Sequence, residues 1–240
     1  MLTVNNLIGF NGSGIKEYTI TIATNTTTFD LNTQLTLLGA DITDSLTVNI
    51  IINNGIILGS TSSSIPALTV NLTNSIVNLI NNGYLVGKGG NGSEVDNTDG
   101  DNGGDALVVH SPVNLTNNGT IGGGGGGGGK GAHTVRDNGS RGGGGAGWNV
   151  GEGGQGVPLS NIDGCYGGED GTLLTGGLGG HGGAWNDGPY GGDGGNGGDL
   201  GQDGYNGADT WGGRAGYAIV GFNRVNVINI GTTAGYLIAN

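Results

Sequence analysis

The chain has 240 residues, 60 of them glycine, with only seven Lys plus Arg and a formal net charge of −12. That charge argues against nucleic acid and anionic membrane surfaces as direct partners, and no segment reaches the ~18 apolar residues of a membrane span. The lone cysteine, Cys165, rules out an intrachain disulfide. Residues 1–10 have no basic region and no signal-peptide profile, so export is expected only by lysis or within a larger particle.

Residues 1–86 read as a β-rich attachment or scaffold domain. Lys16–Ala23 alternates polar and apolar residues over a strand length. Thr26–Leu31 and Thr33–Leu38 continue in a Thr-rich extended manner, and Val48–Ile52 is a β-branched run expected of a buried strand. No capped periodicity of 3.6 residues occurs, so the fold class is predicted to be all-β with almost no α-helix. A loose repeat runs through the chain. Val48–Gly59, Ile76–Gly87 and Pro112–Gly123 each carry Asn-Asn-Gly followed by a short apolar stretch, and Val225–Gly231 echoes the unit. Each copy reads strand, Asn-Gly turn, strand. Repeated short strands predict a β-sandwich or a solenoid-like stack, with the glycine block as an excursion anchored at both ends. Residues 222–240 are the returning β segment.

All but ten of the glycines lie in 87–216, in a Gly-Gly-x pattern. Gly176–Ala184 and Gly191–Asp199 each read as three triplets. Three residues is the period of the polyproline II helix, which has no internal hydrogen bonds and must find partners on neighbouring segments. The expected architecture for 87–221 is therefore a sandwich of polyglycine II helices packed backbone to backbone. The third position of each triplet points outward and is free to vary. Collagen would need far more proline than the four present, and a flexible linker would rarely carry Trp148, Trp185 and Trp211. Cys165 reads as a small filler between glycine helices.

The motifs for chemistry are weak. Gly122–Lys130 resembles a phosphate loop but has Gly131 where Ser or Thr is needed. Gly194–Asp199 fits only part of a calcium-binding nonapeptide, and the acidic run Asp96–Asp101 reads as a solvated turn. The histidines are scattered and the carboxylates lack an apolar pocket. Neither an enzyme, a cofactor nor a metal site is expected.

The inserts between tracts carry the recognition chemistry: Trp, Tyr and Arg with Asn and Asp on short loops over a rigid scaffold. The candidate binding residues are His133, Arg136, Arg141, Trp148, Tyr166, Trp185, Asn186, Tyr190, Tyr205, Asn206 and Trp211. They fall on the inserts Ala132–Arg141, Trp148–Val150, Val157–Tyr166, Ala184–Tyr190 and Leu200–Trp211. Trp148 and Trp211 read equally well as plugs of the bundle.

Glycine tracts alternating with short aromatic loops, then a return to the apolar tail Arg214–Gly221, resemble the receptor-recognising tip adhesins of T-even-like bacteriophage long tail fibres, over about 87–221. The resemblance implies that Gly87–Gly92, Gly122–Gly131, Gly142–Gly147, Gly151–Gly156, Gly176–Gly183 and Gly191–Gly198 are scaffold and that the loops bind the host. The implied partners are a bacterial outer-membrane protein or surface glycan and the tail-fibre shaft protein, with a monomeric cap and a homotrimer both open. The implied location is the virion, at the fibre tip. The rival readings are an ice-binding protein, which would need a regular row of small residues at the third position, and a purely structural fibre spacer.

Overall fold

The computed structural model describes residues 9–10, 15–27, 29–94, 98–132, 140–148, 167–182 and 192–240. Alternation of apolar and polar residues dictates its first sheet. In β2 (Lys16–Ile22), Tyr18, Ile20 and Ile22 point inward and are buried, because alternate side chains of a strand face opposite sides. The same grammar recurs in β3 (Leu46–Ile52), β6 (Ile76–Asn81), β9 (Val113–Asn117) and β12 (Val225–Asn229). These strands lie side by side and parallel in that order. The short β1 (Gly9–Phe10) runs antiparallel along the free side of β2. Their register stacks like on like: Ile20, Ile50, Leu79 and Leu115 form one interior row, and Tyr18, Val48, Val77 and Val113 another.

Two further parallel sheets complete the scaffold. One contains β4 (Ile57–Gly59), β7 (Tyr84–Val86), β10 (Thr120–Gly122) and β13 (Thr232–Ala234). The other contains β5 (Leu68–Val70), β8 (Leu107–Val109), β11 (Ile219–Val220) and β14 (Leu237–Ile238). Successive coils visit the three sheets in the same order, so the repeats build a three-sided parallel β-solenoid and not a sandwich. Its interior is one apolar cluster reaching from Tyr18 to Ile219. Each fully buried Ile or Leu in it contributes about 1.5–3 kcal/mol.

The Asn-Asn-Gly units form the corners between the first and second sheets. Asn81 and Asn117 are fully buried and stacked, with Asn81 Nδ2 donating to Asn117 Oδ1 at 2.8 Å and to the Thr120 carbonyl at 3.0 Å. A second ladder runs along the outside of the first sheet. Asn226 donates to Asn114, Asn114 to Asn78, Asn78 to Asn49, and Asn49 to the Glu17 carboxylate. Glycine serves two purposes at these corners. Gly55 and Gly231 adopt φ of 70° and 52°, whereas a Cβ on Gly83 or Gly119 would strike the backbone of the coil before it.

One expectation for the N-terminal region fails. Leu31–Leu37 is not extended but forms the helix α1. Asp30 caps it by accepting from the Thr33 N–H, and Leu31 and Leu35, one turn apart, are buried in the solenoid core. A good cap with an i, i+4 apolar pair outweighs the modest strand preference of threonine. Apart from α1 and a single 3₁₀ turn at Phe222–Arg224, the described residues contain no helix.

The glycine-rich segments leave the solenoid at one corner. Residues 87–106 lie between β7 and β8, and residues 123–218 between β10 and β11, both after the second strand of a coil and before the third. The strands at 107–122 share the sheets of those before residue 87, so the scaffold passes through the middle of the glycine-rich sequence. Apart from an isolated bridge at Gly171, the described glycine segments take neither helix nor strand form; they run out from the scaffold and back, bonded to one another.

The central segment 122–131 shows the rule. From Gly124 to Gly129 its amides donate to residues of 101–104, of 140–146 and of 202–205, as in Gly127 to Asp101, Gly128 to Gly143 and Gly129 to Tyr205. Its carbonyls accept from 87–93, from 195–198 and from 213–216, as in Gly90 to Gly125, Gly198 to Gly126 and Gly213 to Gly127. Each neighbour is met again three residues later. Six segments thus surround one, and from Gly123 to Gly129 every position approaches a backbone, while Gly122 leaves room for the Leu200 side chain. None of Gly122–Gly129 has a positive φ, so glycine is required here for space. A Cβ on Gly126 would fall against the Gly213 carbonyl, and one on Gly128 against Gly195.

A segment on the outside needs glycine at only two positions of three. Gly176 approaches Gly197 and Gly177 approaches Glu169, while Leu178 is exposed.

Candidate recognition surface

The third position is free to vary at some places, as at the exposed Leu178, but not at every one, contrary to expectation. Asp199, Asn196 and Asp193 accept from the amides of Gly176, Gly179 and Gly182 at 2.8–3.0 Å. Asp99, Asn102 and Asp105 do the same for Trp211, Arg214 and Tyr217 at 2.8–2.9 Å. Asp203 and Asn206 accept from Ala215 and Gly212. An outer segment has amides that face no other segment, and an Asx oxygen at every third residue supplies the missing acceptor. The partial calcium motif and the acidic run Asp96–Asp101 thereby find a structural use at their described residues. Removing one such acceptor costs little because water reaches the site. Asn102→Ala is expected to lose about 1 kcal/mol in chemical denaturation, and Asn102→Asp, which keeps the acceptor, close to nothing.

The segments alternate in direction, and this sorts their ends. Residues 87–93, 122–131, 176–182 and 202–206 run outward; 98–105, 140–147, 192–199 and 211–216 run back. Ala132 and Gly192 bond to each other, Gly131 bonds to Ser140, and Lys130 bonds to Thr210. The residues flanking 133–139 and 183–191, together with the turn 207–210, therefore lie at the end away from the solenoid.

Leu200–Trp211 is not one loop. Residues 202–206 run beside the central segment, the chain reverses where Gly207 donates to the Thr210 carbonyl, and 211–216 returns. Tyr205, Asn206 and Trp211 stand on this hairpin-like pair, with Tyr205 60% and Trp211 68% exposed. Trp211 borders a shallow groove lined by Asp99, Asn102, Asp203, Asn206 and Arg214. Of these, Arg214 escaped the sequence reading because it looked like the start of the apolar tail. Arg141 is half-buried at the outer end of the segment that returns from 140.

Trp148 sits at the opposite end. Only 8% exposed, it packs with Ile57, Val86, Ala146 and Leu200 in the seam between glycine segments and solenoid. Gly59 lacks a Cβ where the indole lies, and the Trp148 Nε1–H meets no acceptor. It takes the plug role of the two the sequence allowed. His133, Arg136, Tyr166, Trp185, Asn186 and Tyr190 lie outside the described residues. Among the described residues no group of three His, Cys, Asp or Glu could hold a metal ion, and no helix is long and apolar enough to cross a membrane.

Comparison with known proteins follows this geometry closely. No curated protein matches the chain. Among solved structures, the chain is similar to one in the crystal structure of the gp37–gp38 adhesin tip complex of the bacteriophage S16 long tail fibre. The identity is 28%, with 93% of this chain and 83% of that chain covered and a TM-score of 0.70. Residues 17–238 match the phage tail fibre adhesins of the Gp38 type. The match spans solenoid and glycine segments alike, and the chain belongs to the Gp38 family of phage tail fibre adhesins, components of the virion at the tip of the long tail fibre.

Proposed function

We propose that the chain is the receptor-binding adhesin of its fibre, a binding module and not an enzyme. In this reading the glycine segments are polyglycine II helices packed as a rigid arm. The solenoid mounts that arm on the fibre shaft protein. The turns at the far end hold a bacterial outer-membrane protein or a surface glycan. The observation that carries it is the three-residue recurrence of hydrogen bonds around segment 122–131, with six neighbours and no positive φ. A left-handed threefold helix turns successive amides by a third of a circle and so meets each neighbour every third residue.

Such an arm holds its distal turns still, which lowers the ordering cost of binding. The proposed contact residues are His133, Arg136, Arg141, Tyr166, Trp185, Asn186 and Tyr190, with Tyr205, Asn206 and Trp211 on the described hairpin. Aromatic and Arg side chains dominate binding hot spots. The net charge of −12 disfavours the anionic lipopolysaccharide core and favours a protein loop or a neutral glycan.

The test is binding of the purified protein to a panel of bacterial cells. Trp185→Ala and Tyr205→Ala should each weaken binding to the susceptible strain by about 30-fold, the scale of a hot-spot side chain, with the melting temperature unchanged. Full binding by both variants would move the site elsewhere, and binding to no strain would remove the adhesion reading.

A further inference from the structure

Segment 211–217 lies between 98–105 and 202–206, with the central segment behind it. Every one of its amides is used. Those of Gly213 and Gly216 donate to the central segment. Those of Trp211, Arg214 and Tyr217 donate to Asp99, Asn102 and Asp105 on one side. Those of Gly212 and Ala215 donate to Asn206 and Asp203 on the other. A further glycine segment laid over this face would find no amide to bond, and would meet side chains where the others meet glycine. The arm is finished here by side chains.

Those side chains form a repeating pattern. Trp211, Arg214 and Tyr217 turn their amides to the same neighbour and are all exposed. On the proposed threefold helix they stand about 9 Å apart, three rises of the chain. The flanking Asx residues spend only their Oδ1 on the backbone. Among the described residues, Oδ2 of Asp99 and Asp203 and Nδ2 of Asn102 and Asn206 make no further bond. Beside Trp211 and Gly212, the Asp99 acceptor stands on one side and the Asn206 donor on the other. Beside Arg214 and Ala215 the order is reversed, with the Asn102 donor facing the Asp203 acceptor. Because each side chain is tied through its other atom, its free atom is held before any ligand arrives.

We propose that this lateral groove binds a neutral polysaccharide chain of the bacterial surface, laid along the arm. The inference rests on the adhesin reading above and adds a side face to its distal site. Sugar hydroxyls both donate and accept, so one residue can take a bond from an amide and give one to a carboxylate. The C–H face of a sugar ring stacks on an indole or phenol ring, and Arg214 donates to hydroxyl and ring oxygens. A polyanion is repelled by Asp99, Asp203 and the net charge of −12. A protein loop needs a dry pocket for its anchor, and this groove is shallow and lined mostly by polar groups.

The probe is the neutral polysaccharide fraction released from the surface of the susceptible strain by mild acid, with dextran as control. Dissociation constants are read by affinity electrophoresis, with melting temperature and whole-cell binding alongside. Trp211→Ala is expected to weaken polysaccharide binding by about tenfold, while Trp211→Phe, which keeps an aromatic face, stays close to the parent. Asn102→Asp keeps the acceptor for the Arg214 amide but replaces the free donor with a second oxygen. It should also bind about tenfold more weakly, with melting unchanged. Trp185→Ala, a variant of the distal site proposed above, should bind the polysaccharide as the parent does. Parent-like binding by both Trp211→Ala and Asn102→Asp overturns the inference, as does equal retention by dextran. Loss of polysaccharide binding in Trp185→Ala alone places the sugar at the distal turns and also overturns it. A parent that binds cells but not the polysaccharide overturns the groove and leaves the adhesin reading standing. A parent that binds neither removes both.

Discussion

Gly126→Ala is expected to yield little soluble protein, and what remains should melt well below the parent, while Leu178→Ala melts with it. Both changes are small and both lie in glycine segments, so the contrast isolates position. Gly126 belongs to the segment surrounded on all sides, and a Cβ there meets the Gly213 carbonyl and the Gly204 amide nitrogen. Neither is the flexible end of a side chain. Each is backbone held by its own bonds, Gly204 donating to the Gly213 carbonyl and Gly213 to Gly127. Overpacking a core where side chains can rotate away costs about 1–3 kcal/mol, and here nothing can rotate, so about 3 kcal/mol is a lower bound. A domain is stable by only about 5–15 kcal/mol, and Gly126→Val should not fold. Leu178 is 57% exposed at a third position and touches no neighbouring backbone in this way. Equal soluble yield and equal melting for Gly126→Ala and Leu178→Ala would show that the segments do not pack by their backbones.

The second large effect is expected in the solenoid. Asn117 is fully buried and makes four hydrogen bonds. Its Nδ2 donates to the Ile230 and Thr232 carbonyls, and its Oδ1 accepts from Asn81 Nδ2 and the Gly119 amide. Alanine removes all four bonds from a buried position, at about 1–3 kcal/mol for each orphaned group that cannot relax, so Asn117→Ala should lose about 3 kcal/mol or more in urea titration. Asn117→Asp adds a pH signature. Burial and two facing carbonyls disfavour the carboxylate, so its folded pKa rises above the unfolded value of about 3.9. The folded state then holds the proton more tightly, and the variant is least damaged at acid pH. Its stability falls as pH rises from the unfolded pKa to the folded one. A pH-independent deficit would mean the carboxylate reaches solvent.

The sequence showed most where one residue type has one use. Gly-Gly-x triplets announced segments that lack side chains on two sides, and the Asn-Asn-Gly spacing announced a repeated corner. It showed less where a residue type serves several purposes. Asp99, Asn102 and Asp105 have the same spacing as Asp193, Asn196 and Asp199, yet Asp99 reads as part of a solvated turn because local sequence does not reveal which amides stand opposite. Residues 98–105 and 202–206 were missed as segments because an outer position tolerates side chains, so their glycine content is diluted. Asp30 and the Leu31–Leu35 pair were legible as a capped helical turn but were hidden among threonines. Trp148 could be assigned only once Gly59, far away in sequence, was seen to leave room for it.

The way segment 122–131 is held has an evolutionary consequence. Apart from the bond of Lys130 to the Thr210 hydroxyl, its bonds run from main chain to main chain, and main-chain atoms are the same whatever the sequence. A lattice of that kind is blind to what its distal turns contain. Within the turn 207–210, Gly207 and Thr210 are tied to Lys130, but Ala208 and Asp209 between them can be exchanged without any compensating change in a hydrophobic core, because none lies beneath them. Most folds couple a new surface to the packing under it, so that novelty in recognition is limited by stability. Here the two are separated by construction, and the far end can change while the segments behind it stay fixed.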